Sequence, residues 1–119
     1  MDNRVTMDLE YVGGARLGDW NCNEWKVQLH YNDNTMYTPF FTGVAIAEPR
    51  IEDVLASLFD DAHGAKDSDS FEDWASAYGY NTDSRKDEQI YYDCLNTANM
   101  LLCLFGADYD YFAEKLENY

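Results

Sequence analysis

The sequence predicts an α+β domain: a three-stranded antiparallel sheet in the N-terminal part, packed against three to four C-terminal helices. Three observations carry this expectation. Apolar residues alternate with period two through much of the first 43 residues. From Ile51 onwards they recur at helical spacing. Strands and helices are segregated along the chain, the order expected of a two-layer α+β fold. At 119 residues, with no linker long enough to divide it, the chain reads as one domain over 1–119.

The first strand carries Val5, Met7, Leu9 and Tyr11 on one side and Thr6, Asp8, Glu10 and Val12 on the other. Gly13-Gly14 is expected to interrupt it, with a loop or loose hairpin extension up to Asn23. The cleanest alternation is Trp25-Lys26-Val27-Gln28-Leu29-His30-Tyr31, which places Trp25, Val27, Leu29 and Tyr31 on a single face. Asn32-Asp33-Asn34 is turn chemistry, because these residues tolerate left-handed backbone. Thr35 to Phe41 returns as a third strand, and Pro39 within it predicts an edge position.

Pro49 introduces the first helix, where Ile51, Val54, Leu55, Leu58 and Phe59 share a face and Gly64 is the expected stop. Ser70-Phe71-Glu72-Asp73 resembles a capping box and starts a short helix that Gly79 ends. Thr82-Asp83-Ser84 caps a longer helix with Ile90, Cys94, Ala98, Leu101 and Phe105 in one stripe and Gly106 as its C-terminal cap. The last helix runs from about Asp108 to Glu117, with Tyr109, Phe112 and Leu116 inward and Tyr111 outward.

The net charge is −15, from 23 acids and eight bases. Aromatic residues make up 16% of the chain, which separates it from acidic disordered tails and assigns the charge to a folded surface. So acidic a chain is repelled by phosphate backbones and anionic lipids, so direct nucleic-acid or membrane binding is not expected, and a basic protein partner is. Residues 1–47 carry a net −3, whereas residues 48–119 hold 17 acids against five bases, a net −12. The candidate partner-binding residues are therefore helical: Asp60, Asp61, Asp67, Asp69, Glu72 and Asp73 in the densest stretch, with Asp108 and Asp110 before and within the last helix. Acids at helix starts are accounted for by the helix dipole, worth about 0.3–1 kcal/mol each. Asp60 and Asp61, expected near a helix C-terminus, are not.

Other functions lack their residues. Three cysteines with no CxxC pair argue against a disulfide framework or a zinc site, and Cys94 and Cys103 are expected in the core. His30 falls on the polar side of its strand and His63 near a helix end, both structural positions, and no nucleophile elbow, zincin or phosphate-loop spacing occurs. Asp67-x-Asp69 opens like a calcium loop but lacks its glycine and late glutamate, so neither a metal nor another cofactor is expected. Met1-Asp2-Asn3-Arg4 is not the start of a secretory leader, and no apolar run spans a membrane, so the expected location is a reducing cytoplasm. Of the tyrosines, Tyr78, Tyr80, Tyr91, Tyr92, Tyr109, Tyr111 and Tyr119 are too many for one core, and some are expected at an interface.

The run from Ser70 to Lys86, FEDWASAYGY with TDSRK after it, together with the strands from Trp25 to Gly43, resembles a family of small acidic proteins of bacteriophages and other mobile elements. The resemblance covers roughly residues 20–112. It transfers no catalytic residue. It implies an anti-defence, anti-CRISPR-like protein in a bacterial host cell, not an enzyme. Such a protein would occupy the basic surface of a nucleic-acid-binding complex, above all a CRISPR–Cas effector, as a DNA mimic. The alternative expectation is a non-catalytic interaction module that binds through its sheet and exposed aromatics.

Overall fold

A computed structural model describes residues 4–117. Masses of alternating apolar side chains do form strands: β1 (Val5–Leu17), β2 (Trp20–Tyr31) and β3 (Asn34–Gly43) make an antiparallel sheet in the order β1-β2-β3. Four helices follow, α1 (Ile51–Lys66), α2 (Phe71–Tyr78), α3 (Arg85–Phe105) and α4 (Tyr109–Glu117), with a short 3₁₀ turn at Gly106–Asp108. The fold class is α+β. The chain divides between Leu55 and Ala56 into two compact units, a sheet unit and a helical unit. The expectations for Met1-Asp2-Asn3 and for Tyr119 lie outside the described residues.

In the sheet unit, Trp25, Val27, Leu29 and Tyr31 of the central strand are all buried on one face. Register sets Val5 opposite Tyr31 and both Met7 and Met36 opposite Leu29. The indole N–H of Trp25 donates to Thr42 Oγ1 at 2.9 Å, so the buried Trp–Thr pair leaves no polar atom unpaired. Pro39 lies on edge strand β3, as the sequence predicts.

Gly13-Gly14 does not end β1. The pairing register shifts between Tyr11 and Gly13, and the strand then continues to Leu17 opposite Trp20. Gly13, at φ +146°, supplies the backbone conformation that such a bulge requires and most side chains resist. The real turn is Gly18-Asp19, with Gly18 at φ +62°. The second turn, Asn32-Asp33, has Asn32 at φ +52°, and Asn34 already belongs to β3.

Gly64 also differs from expectation. α1 passes through it to Lys66. A Cβ at this position would lie 2.9 Å from the Tyr78 hydroxyl oxygen and 3.0 Å from its Cζ. Gly64 is thus the place where α1 admits the Tyr78 ring, not the place where the helix stops. The caps of α2 are where the sequence places them. Ser70 Oγ accepts from the Asp73 amide and Gly79 closes α2 at φ +80°. For α3 the capping side chain is Ser84, not Asp83, and it accepts from the Asp87 amide. Asp83 instead donates its amide to Asn81 Oδ1 at 2.9 Å, while the Asn81 amide donates to Asp87 Oδ2 at 2.8 Å.

The helical unit has two aromatic clusters. Phe71, Trp74 and Tyr91 pack with Ala65 and Ala75 and join α2 to α3. Phe59, Phe105, Tyr109 and Phe112 form the other, with Phe105 and Phe112 stacked at 4.3 Å. Tyr109, Phe112 and Leu116 are buried and Tyr111 is exposed, as α4 periodicity predicts. Cys94 is half-buried, but Cys103 is exposed and not a core residue. The inward positions at the end of α3 are Leu101, Leu104 and Phe105, and Cys103 lies outside that stripe.

Because Gly64 makes room for Tyr78, the two positions should be coupled. In a Tyr78→Ala background, Gly64→Ala should stabilise the protein by about 0.5–1 kcal/mol, the helix-propensity gain. In the parent the same change should gain less or destabilise, because the Tyr78 ring must move. Chemical denaturation of the four proteins in this double-mutant cycle measures the difference.

Candidate partner-binding surface

Between Ala56 and Glu117 the sequence places 14 acids and four bases. Some of these carboxylates serve local structure. Glu72 and Asp73 lie in the first turn of α2, and Asp110 in that of α4, where the helix dipole favours them. Asp60 and Asp61 have no such role. Because α1 continues to Lys66, they sit further from its end than expected, and its last turn carries His63 and Lys66 instead. The dipole therefore opposes them less than the sequence suggests, since its effect fades beyond the last turn. For Asp61 the opposition comes instead from burial, reinforced by Asp60.

Two concave regions gather the acids. The first groove, of about 450 Å³, is lined by Asp60 and Asp61 of α1, Asp93, Cys94 and Thr97 of α3, and the rings of Trp74, Tyr78 and Tyr80. The second, of about 320 Å³, is lined by Asp60, His63, Lys66, Asp67, Asp110, Glu114 and Glu117, with Tyr109 among its walls. Asp60 lines both. The second is partly compensated: His63 Nδ1 lies 3.1 Å from Asp67 Oδ2, and Lys66 Nζ sits 4.4 Å from the centre of the Tyr109 ring. The first has no Lys, Arg or His in its described lining.

Of the eight residues singled out from sequence, Asp60, Asp61, Asp67 and Asp110 therefore line grooves. Asp69, Glu72, Asp73 and Asp108 line neither. Asp93, Glu114, Glu117 and the aromatic wall were not among the eight. Asp93 shares the α3 face of Ile90, Cys94 and Thr97, so its helical spacing was the signal that could have found it.

The environment of the first groove is reflected in its titrating groups. Asp61 is exposed at its rim yet surrounded by enough protein that burial, reinforced by Asp60, lifts its carboxyl above the ordinary aspartate range. Burial, helped by Asp61 and Asp93, pushes the Cys94 thiol up to about 11. Cys94 is therefore a neutral thiol near pH 7 and no nucleophile. Burial, Tyr92 and the first-turn acids Glu72 and Asp73 raise the Tyr91 phenol, and burial with Asp67 and Asp110 raises that of Tyr109. Among the described residues no group of three or more His, Cys, Asp or Glu side chains is placed to hold a metal ion.

The sheet unit carries different features. His30 Nε2 lies 2.9 Å from Asp8 Oδ2 and its Nδ1 lies 3.1 Å from Thr35 Oγ1. Asp8, His30 and Thr35 come one from each strand, and the exposed array works as a cross-strand hydrogen-bond ladder. Val12, Leu17 and Trp20 are about half-exposed near the β1–β2 turn, where Leu17 pairs with Trp20. No helix among the described residues is long and apolar enough to cross a membrane. No protein-family model, curated protein or solved structure proved similar to the chain.

The raised Asp61 carboxyl has a signed consequence. A group that binds its proton more tightly when folded favours folding at low pH and disfavours it once ionised. Asp61→Asn should therefore raise the thermal midpoint at pH 7 relative to the parent. The gain should shrink as pH falls towards the ordinary aspartate pKa, about 3.9. Thermal melts of both proteins across pH 3–8 measure it.

Proposed function

We propose that this chain is a non-catalytic inhibitor that binds the basic, nucleic-acid-holding surface of another protein through its acidic helical unit. The observation that carries the reading is the pair of grooves sharing Asp60, where carboxylates from α1, α3 and α4 converge with few cations to offset them. Channels that hold DNA or guide duplexes are lined with lysine and arginine that neutralise phosphates. Spaced carboxylates on a folded scaffold release the same counterions and occupy the same surface. They also accelerate encounter by electrostatic steering. The resemblance of the Ser70–Lys86 run to phage proteins directs the choice of target to a CRISPR–Cas effector in a bacterial host.

A second reading rests on Val12, Leu17 and Trp20, which expose apolar area at the end of the β1–β2 hairpin. In it, the chain is an interaction module whose partner meets the sheet unit through apolar contact.

Binding to purified CRISPR–Cas effectors, measured over a salt series, separates the two. The acidic reading requires affinity that falls steeply with salt. It also requires at least about a tenfold loss when Asp60, Asp61, Asp67 and Asp69 are all changed to Asn, with a shallower salt slope. Salt-insensitive binding that survives these changes and is lost in Trp20→Ala supports the second reading and rejects the first.

A further inference from the structure

The first groove differs from the rest of the acidic surface in having an aromatic wall. Trp74 is buried and anchored by Phe71 and Tyr91. Tyr80 stacks on it with ring centres 4.3 Å apart and planes within 13°. One face of Tyr80 is thus held by Trp74, and the residue as a whole keeps 38% of its surface exposed. Tyr78, 55% exposed, is set over Gly64, where no side chain could fit without displacing it. Around these rings stand Asp60, Asp61 and Asp93, and the described lining contains no cation. No side-chain hydrogen bond or ion pair engages the Asp60 or Asp61 carboxylate among the described residues.

Flat rings beside several carboxylates fit one chemistry best. A guanidinium is planar, always charged and weakly hydrated. It stacks on aromatic faces and donates several N–H groups to carboxylates in fixed geometry. An ammonium is a compact, strongly hydrated point charge and uses the rings less well. The groove's volume of about 450 Å³ admits one such side chain with its stem.

We propose that the groove formed by Trp74, Tyr78 and Tyr80 with Asp60, Asp61 and Asp93 is a receptor for an arginine side chain of the protein partner. The guanidinium lies against Tyr80 and donates to the surrounding carboxylates. This deepens the acidic-surface reading and rests on it. It also makes a claim that the reading does not: the partner is recognised by arginine, and not by positive charge alone. The desolvated setting that raises the Asp61 carboxyl is the setting in which a paired cation gains most.

The test uses the full chain with two probes of equal charge, a nona-arginine and a nona-lysine peptide, by calorimetry at one ionic strength. The arginine peptide should bind about tenfold more tightly. Tyr80→Ala and Asp61→Asn should each bring the two peptides to within about threefold of one another. Since Tyr80 covers Trp74, Tyr80→Leu is measured alongside. It keeps an apolar cover over Trp74 and should lose the arginine preference as well. Glu72→Gln with Asp73→Asn should weaken both peptides alike and leave the preference intact. Equal affinities in the parent, or a preference that survives both Tyr80→Leu and Asp61→Asn, overturn the arginine site while leaving the acidic-surface reading in place. Failure of both peptides to bind overturns the two together.

Discussion

The packing of Trp74 is the constraint on which the helical unit's organisation depends. Its ring meets Phe71, Tyr78, Tyr80 and Tyr91 within 4.3–6.2 Å between centres. Those contacts hold the short helix α2, which at eight residues has little stability of its own, against α3. They also fix where the chain after Gly79 leaves, because Tyr80 must return to stack on the same ring. Aromatic pairs of this kind add about 0.5–1.5 kcal/mol each beyond the area they bury. Gly64 belongs to the same arrangement, since its missing side chain is the space that Tyr78 uses.

Charge is arranged around that aromatic anchor at a cost. Asp60 and Asp61 are adjacent, and burial, reinforced by Asp60, raises the Asp61 carboxyl. Asp93 faces the same groove from α3. The neighbouring groove gains partial relief from the His63–Asp67 contact and from Lys66; in the first, Gln89 Nε2 donates to Asp93 Oδ1 at 2.9 Å, and the Asp60 and Asp61 carboxylates have no such contact among the described residues. A surface that keeps unpaired carboxylates beside desolvating rings is less stable alone than one with a lysine among them. It becomes more favourable when a cation arrives from outside. This asymmetry links the packing of the helical unit to the proposed role, in which a cation arriving from a partner would offset that cost.

Much of this was legible in the sequence. The Trp25–Tyr31 part of β2 is legible residue by residue, because its buried face alternates strictly and its turn carries Asn32, whereas Trp20–Asn23, expected as a loop or loose hairpin extension, extends the same strand through its pairing with β1. The Ser70 cap and the inward face of α4 follow from local patterns, whereas the Thr82-Asp83-Ser84 run marks the start of α3 without showing that Ser84 is the side chain that caps it. The two glycine positions do not follow from local patterns. Gly13-Gly14 and Gly64 look like terminators locally, but the first is a bulge fixed by pairing with β2 and the second a close approach fixed by Tyr78. Both depend on partners distant in sequence. Cys103 is drawn into the expected core by the apolar run Met100–Phe105, although two residues after Leu101 it lies about 200° of helix rotation away, on the opposite side of α3 from the buried stripe. For the site, the density of acids was visible. The grooves were not, because Asp61, Tyr80 and Asp93 are joined only by packing, and half of the acids first singled out turn out to line no groove.

Competition with nucleic acid tests the central claim most directly. The immobilised chain would be loaded at low salt with a purified CRISPR–Cas effector, or with a basic protein captured and identified from a bacterial host lysate. Excess duplex DNA would then be applied at constant ionic strength. If the helical unit stands in for a phosphate backbone, the duplex displaces the bound protein in proportion to its own affinity for that surface. A ternary complex that holds protein and duplex together, with neither weakening the other, would contradict it.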